Sequence, residues 1–403
     1  MFVDRAAFAE VESVFVSILG LSESQWTITI AAFVLGYVAL PIFFGLVTDE
    51  IGGRRGLTFY VTAWSLFVGL AIFASSFVSL VVASFLVGAG QAGMNPSLAR
   101  VMYSWMPLSE RGIAAGIIFS GPRIGCLIAL PLVPILIGYA KLPMAFVVLM
   151  IFGFVWAVFW WNWFKSEPEQ HQGVGRDELK LIKYGRVVGE LADTGQMSAS
   201  ELWSKPGIWL LCLQFFASQF AVCFCSLWVY PYLRQTFVLD PTIGVAHVVF
   251  PLIAGAVGSI VSGAIVDLLY RTPWTSWSRR LPAIVGFVIA SFAMVQAGGE
   301  STPTNAILWI SLAVFGLDMT LAPSWCYCID ISRSNTGLVG GIKQTFGSLG
   351  MFLAAVVYPW WMDKVTIRQC FFAGAAMCMI AAMAWLLCKS KHNLEGRAPV
   401  IDL

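Results

Sequence analysis

Apolar runs long enough to cross a bilayer recur along almost the whole chain, separated by short polar breaks. They predict a first span in 1–19 and a second in 24–48, ended by "DEIGGRR". A third over 56–76 and a fourth over 78–105 follow, ended by "PLSERG". The fifth and sixth fill 112–140 and 143–164. The one long polar stretch, 165–205, comes next. Spans seven to twelve fall at 207–236, 242–270, 280–298, 305–330, 336–362 and 367–388. The pattern divides the chain into a bundle at 1–164, a connector at 165–205, a second bundle at 206–390 and a tail at 391–403.

Composition agrees with this division. The 403 residues are 59% hydrophobic and 11% charged, with a mean hydropathy of +0.80. A soluble domain of that size cannot hide so much apolar surface, so lipid is the expected solvent. The nine cysteines sit mostly inside apolar runs without a C-x-x-C pair, which reads as small apolar packing and not as a metal or redox site. The histidines are His171, His247 and His392, and neither H-E-x-x-H nor G-x-S-x-G occurs. No enzyme, cofactor, metal or nucleic-acid partner is therefore expected.

The two halves echo each other. "GLVTDEIGGRR" sets Gly45 four residues before Asp49 at the end of span two, and "GAIVDLLYR" sets Gly263 four before Asp267 at the end of span eight. "NPSLARVMYSW" and "APSWCYCIDIS" occupy matching places in spans four and ten. Two parallel six-helix repeats around a central site are a transporter plan. Basic residues gather on one side: Arg54, Arg55, Arg111, the connector lysines and arginines, Arg271, Arg279, Arg280, Arg333, Lys389, Lys391 and Arg397. The other side holds Lys141, Arg234, Lys364 and Arg368. By the positive-inside rule the connector and C-terminus face the cytoplasm, with the protein in the cell (inner) membrane.

"GLVTDEIGGRR" resembles the G-x-x-x-D-x-x-G-x-R-R loop of the major facilitator superfamily. Further stretches resemble its anion:cation symporter branch, which includes hexuronate, galactonate and sialin-like carriers: "FVDR", "GLSESQWTITIAAFVLGYVALPIFFG", "NPSLARVMYSWMPLSERGIAAG", "PEQHQGVGRDELKLI", "SLWVYPYL" and "NTGLVGGIKQTFGSLG". The resemblance implies the major facilitator fold, two six-helix bundles, and secondary transport of an organic anion such as a hexuronate or aldonate. It implies proton-coupled symport by alternating access. On the same grounds Arg5 binds a substrate carboxylate, Asp4 is a proton-responsive acid, and Trp228 and Tyr37 belong to the site. Gly45, Asp49, Gly52, Arg54, Arg55, Glu110, Arg111, Gly263, Asp267 and Arg271 form a cytoplasmic gate whose arginines pair with carboxylates. Where the branch commonly has an arginine and, seven residues on, a glutamate in span four, this chain has Ser84 and Gln91. Its G-G-x-x-N in span eleven becomes Gly340, Gly341, Ile342, Lys343 and Gln344.

Charges at membrane depth each need a reason. Helical rise places Arg123 near the midplane, about 16 Å past Gly112, and Lys343 about 12 Å into span eleven. Together with Arg5 they are candidates for an anion site; an arginine holds a carboxylate by a planar fork, a lysine as a point charge. Arg123 is expected to replace the arginine missing at Ser84, against an internal pair that only holds helices together. Lys343 contacts substrate, pairs with an acid or snorkels. Asp318, also near midplane depth, joins Asp4 as a proton candidate, against a fixed ion pair with Lys343. Gln91 and Gln344 supply amide contacts. A sodium-coupled or proton-independent carrier, or a transporter-like sensor without flux, remains open, and a monomer is expected. The first run lacks the apolar residues that relatives carry ahead of Asp4, so a late start or truncated first helix is expected.

Overall fold

The computed structural model describes residues 16, 19–190, 199–228, 241–332, 334–362, 364 and 366–388. Asp4, Arg5, Arg234 and the tail lie outside them. The described residues are helical, without a strand. Ten helices among them are long and apolar enough to cross a membrane, with Ser24–Ala39 a shorter apolar one. Their outward faces carry large apolar side chains such as Phe73 (77% exposed) and Phe152 (72%). Polar side chains such as Gln91, Asp318 and Lys343 are buried. That inversion is what a lipid solvent requires.

The predicted second span is not one helix. α1 (Glu23–Ala39) opens on a capping box, in which the Ser22 hydroxyl takes the Gln25 N–H and the Gln25 side chain takes that of Ser22. It stops at Leu40, and α2 (Pro41–Leu70) restarts with proline at its first position, where a missing N–H costs nothing. α2 contains both the end of span two and span three, divided at Gly52. With φ 81° and ψ 162°, Gly52 occupies backbone space that side chains with a Cβ rarely reach.

Spans four and ten are each divided as well, into α3 (Phe77–Ala92) and α4 (Met94–Trp105), and into α11 (Pro303–Met319) and α12 (Leu321–Ser332). Spans five and six share the helical stretch α5 (Arg111–Trp163) as the apolar segments Arg111–Leu136 and Met144–Trp163. The connector holds α6 (Arg176–Glu190) and α7 (Ala199–Ser204). α8 (Pro206–Cys223) passes into a π turn, Phe224–Trp228. α9 (Pro241–Tyr270), α10 (Arg280–Ala297), α13 (Thr336–Met362) and α14 (Ile367–Leu387) complete the order.

The chain forms two compact units, and neither is a simple half of the sequence. The first collects the described parts of Met1–Val101, Gly121–Ser166 and Gly337–Ser348; the second has Met102–Ser120, Glu167–Thr336 and the described parts of Leu349–Leu403. The start of α5 thus packs with second-half helices, and the start of α13 with first-half helices. The first unit's core holds Trp26, Tyr60, Trp64, Val87 and Phe146. In the second, Phe119 stacks on Trp325 at 5.0 Å. Buried Gln214 there donates to Ser324 at 2.7 Å and accepts from the Trp385 indole at 3.3 Å.

Candidate functional site

Asp49 and Asp267 do the same thing in the two units. The Asp49 carboxylate accepts the backbone N–H groups of Gly337 (2.7 Å) and Leu338 (2.8 Å) at the start of α13. The Asp267 carboxylate accepts those of Gly112 and Ile113, both at 2.7 Å, at the start of α5. A helix N-terminus presents unsatisfied donors and the positive end of its dipole, so each aspartate is a charged clasp on a helix end. The glycines four residues earlier bring the backbones together. A Cβ on Gly45 would collide with the Gly337 carbonyl, and one on Gly337 with that of Gly45. Gly263 and Gly112 show the same reciprocal relation. The spacing read from sequence is therefore one device built twice.

The other expected gate residues divide. Arg111 donates to Asp330 Oδ1 at 2.6 Å, and Arg279 donates to Asp330 Oδ2 at 3.1 Å and to the Leu108 carbonyl at 3.0 Å. Both arginines are buried. Burial disfavours a charged Arg279, but the adjacent Asp330 carboxylate outweighs it and raises its hold on the proton. Arg271 reaches Glu110 only at 3.9 Å in an exposed pair. Arg54 does not take up a carboxylate: its Nε donates to the Trp161 carbonyl at 3.0 Å, and its guanidinium lies 4.3 Å over the Trp161 ring. Arg55 is exposed.

Asp330 and Arg279 were not singled out in the sequence as site residues. An aspartate and an arginine at opposite helix ends are ordinary interfacial residues until folding joins them. The same holds for the hydroxyls beneath the Asp49 clasp, where Thr48 meets Ser97 at 3.0 Å and Tyr60 at 3.3 Å.

Deeper in the first unit is a polar cluster. Gln344 Nε2 donates to the Tyr37 hydroxyl at 3.2 Å and to Ser348 Oγ at 3.3 Å, while Gln344 Oε1 accepts from Asn95 Nδ2 at 2.9 Å. Both amide protons of Gln344 are thus engaged. Asn95 is a further residue the sequence did not mark. Asn95→Leu leaves the buried Gln344 carbonyl without its donor, an expected cost of about 1–3 kcal/mol. It should lower the melting temperature of detergent-purified protein more than Tyr37→Phe, which acts at a half-buried place.

Of the residues expected to bind an anion, Tyr37, Gln91, Arg123, Lys343 and Gln344 all belong to the first unit. Gln91 is 1% exposed, Lys343 is fully buried, and Arg123 is half-buried on α5. Asp318, 2% exposed, belongs to the second unit, as does Trp228, of which only the backbone is described. Arg5 and Asp4 fall outside the described residues. Among the described residues no cluster of His, Cys, Asp and Glu has a metal-binding arrangement.

The chain is similar to known transporters over nearly its full length. A probable sulfoacetate transporter of Cupriavidus necator is 28% identical over 388 residues, 96% of this chain and 90% of the relative. The hexuronate transporters of Bacillus subtilis and Escherichia coli are 24% and 23% identical, covering 95% and 94% of the chain and 90% and 88% of their own lengths. Among solved structures, the proton:xylose symporter XylE matches with a TM-score of 0.76 at 14% identity, covering 96% of this chain and 92% of that one. The human organic anion transporter MFSD10 matches at 0.67 and 15%, covering 95% and 96%. The Major Facilitator Superfamily profile matches residues 2–355. With its apolar spans and its repeated aspartate clasps, the chain is a multi-pass membrane transporter that belongs to the Major Facilitator Superfamily.

Proposed function

We propose that the protein is a secondary active transporter of a small organic anion, a sugar acid or a related carboxylate or sulfonate, driven by protons. The observation that carries this reading is the placing of Arg123 and Lys343 inside apolar spans of one unit, together with Tyr37, Asn95, Gln91 and Gln344. Cations placed at membrane depth match the charge of an anionic cargo. Arg5, on the matching family element, is a third cation for the same cargo. The relatives named for hexuronate and sulfoacetate support an acidic substrate with hydroxylated carbons or a second acidic group. Asp4 and Asp318 are the acids available to carry the proton. The sequence halves 1–164 and 206–390 rock about the cargo, and the two aspartate clasps close the cytoplasmic face when engaged. The connector and tail lie on the cytoplasmic side of the cell membrane, and the monomer suffices.

Uptake of labelled glucuronate and of labelled sulfoacetate into proteoliposomes, with and without an imposed pH gradient, tests the reading. Accumulation of either anion under the gradient is expected. Arg123→Gln should reduce it at least tenfold with an unchanged melting temperature, since truncating one partner of a desolvated charge pair costs about 2–5 kcal/mol. Wild-type protein that melts cooperatively yet moves neither anion would sink the reading. Uptake indifferent to pH would sink its proton coupling.

A further inference from the structure

The division between α3 and α4 and that between α11 and α12 are one motif made twice. Gly93 and Thr320 are the dividing residues. The backbone N–H of Gly93 points to the Gln91 carbonyl, and that of Thr320 to the carbonyls of Asp318 and Leu317. Each then accepts the N–H of a serine four residues on, Ser97 and Ser324, both at 3.1 Å. Pro96 and Pro323 stand just before those serines. All four marks fall at one constant offset in sequence, so Gln91 and Asp318 hold the same position in two copies. Both side chains are buried, at 1% and 2% exposure. One is an amide that neither gains nor loses a proton in water's range. The other is a carboxyl group, which does.

We propose that Asp318 carries the proton coupled to anion transport, at the second-repeat position that Gln91 holds in the first as a fixed neutral hydrogen-bonding group. The inference rests on the proton-coupled reading above and chooses between its two acids. Asp318 takes up the proton as a carboxyl O–H on the outer side and releases it to water on the inner side. Gln91, with both donor and acceptor atoms, serves the cargo throughout.

The neighbouring elements leave Asp318 as the acid at this level. From α9, Gly258 and Ser259 lie against the division, the serine hydroxyl donating to the Asp318 carbonyl at 3.4 Å. From α10 it is Gly286 and Ala290 that pack on Gly316. The charged groups of these elements are held at their ends: Asp267 on the α5 N-terminus, Arg280 on the Trp385 and Leu386 carbonyls, and Asp330 on Arg111 and Arg279. The remaining titratable groups of α8 and α12 nearby are the thiols Cys212, Cys223, Cys326 and Cys328 and the Tyr327 phenol.

The test compares wild type, Asp318→Asn, and Asp318→Asn combined with Gln91→Glu, in proteoliposomes with labelled glucuronate and sulfoacetate as probes. Gradient-driven accumulation is read beside counterflow at equal pH. Asp318→Asn is expected to lose accumulation about tenfold or more while keeping counterflow, the signature of lost coupling. Gln91→Glu in the same chain should restore part of it. Accumulation by Asp318→Asn at the wild-type level overturns the inference and leaves the proton-coupled reading intact. So does loss of both modes in a normally melting variant that Gln91→Glu does not rescue. Wild-type counterflow without any response to the gradient overturns that reading first and the inference with it, as does wild type that moves neither probe. Should Asp318→Asn fail to fold, Gln91→Glu alone decides: a second acid at the twin position shifts the pH profile of counterflow, and an unchanged profile overturns the inference.

Discussion

Asp330→Asn is expected to destabilise the protein more than any other single charge removal at the helix ends. Its carboxylate, 9% exposed, is shared by two guanidiniums whose side chains are 4% and 2% exposed. Removing it leaves two buried cations without their counter-charge. Breaking a buried pair in this way costs about 3–5 kcal/mol, most of it the desolvation of the charges left behind. The exposed pair of Arg271 and Glu110 is the control. Glu110→Gln there should cost under about 1 kcal/mol, because water already solvates both groups. Thermal unfolding of the two variants in detergent reads the contrast directly. Equal melting temperatures would mean that Asp330 is not what neutralises Arg111 and Arg279. A third variant, with Arg111, Arg279 and Asp330 replaced together by apolar residues of similar volume, should recover much of the loss, since none is left unpaired.

Gly263→Val is expected to abolish transport. A Cβ at Gly263 would collide with the Gly112 carbonyl, which is backbone and has no rotamer to escape into. The helices must separate, and the two hydrogen bonds from Gly112 and Ile113 to Asp267 lengthen with them. Overpacking alone costs about 1–3 kcal/mol. Under the proposed alternating-access cycle the expected functional loss is larger, because the Asp267 clasp on α5 no longer engages. Gly112→Val should act alike, and Gly45→Val and Gly337→Val should match them in the other unit. Because each glycine pair meets the same neighbour, the double variants should lose much less than the sum of the singles. Uptake and thermal unfolding of the singles and doubles check this; strict additivity would show that the paired glycines do not share one contact.

Much of this was legible in the sequence for a simple physical reason. A lipid solvent forces long apolar runs and confines charge, so the membrane-spanning character of the chain could be read without knowing any contact. The Gly-to-Asp spacing was equally legible, because an aspartate one helical turn beyond a glycine lies on the same face. What the linear pattern could not show is where helices stop inside the membrane. The predicted spans run through Leu40, Gly93 and Thr320, yet a helix ends at each, the first at a proline that cannot continue the ladder.

The rest depended on which helix ends meet. The sequence marked Asp49, Asp267 and Arg111 but not their partners, because a backbone N–H carries no residue identity and Asp330 and Arg279 are far from Arg111 along the chain. It marked Tyr37 and Gln344 but not Asn95, an amide that reads as a turn former until its Nδ2 is seen at 2.9 Å from Gln344. It marked Gln91 and Asp318 as separate oddities. Solvent transfer energies, which act residue by residue, mark the stretches that can cross a membrane, and the repeated motifs carried the family, so sequence alone determined those. The clasps and the two-arginine carboxylate depend on directional hydrogen bonds between distant segments, and only the tertiary structure decided them.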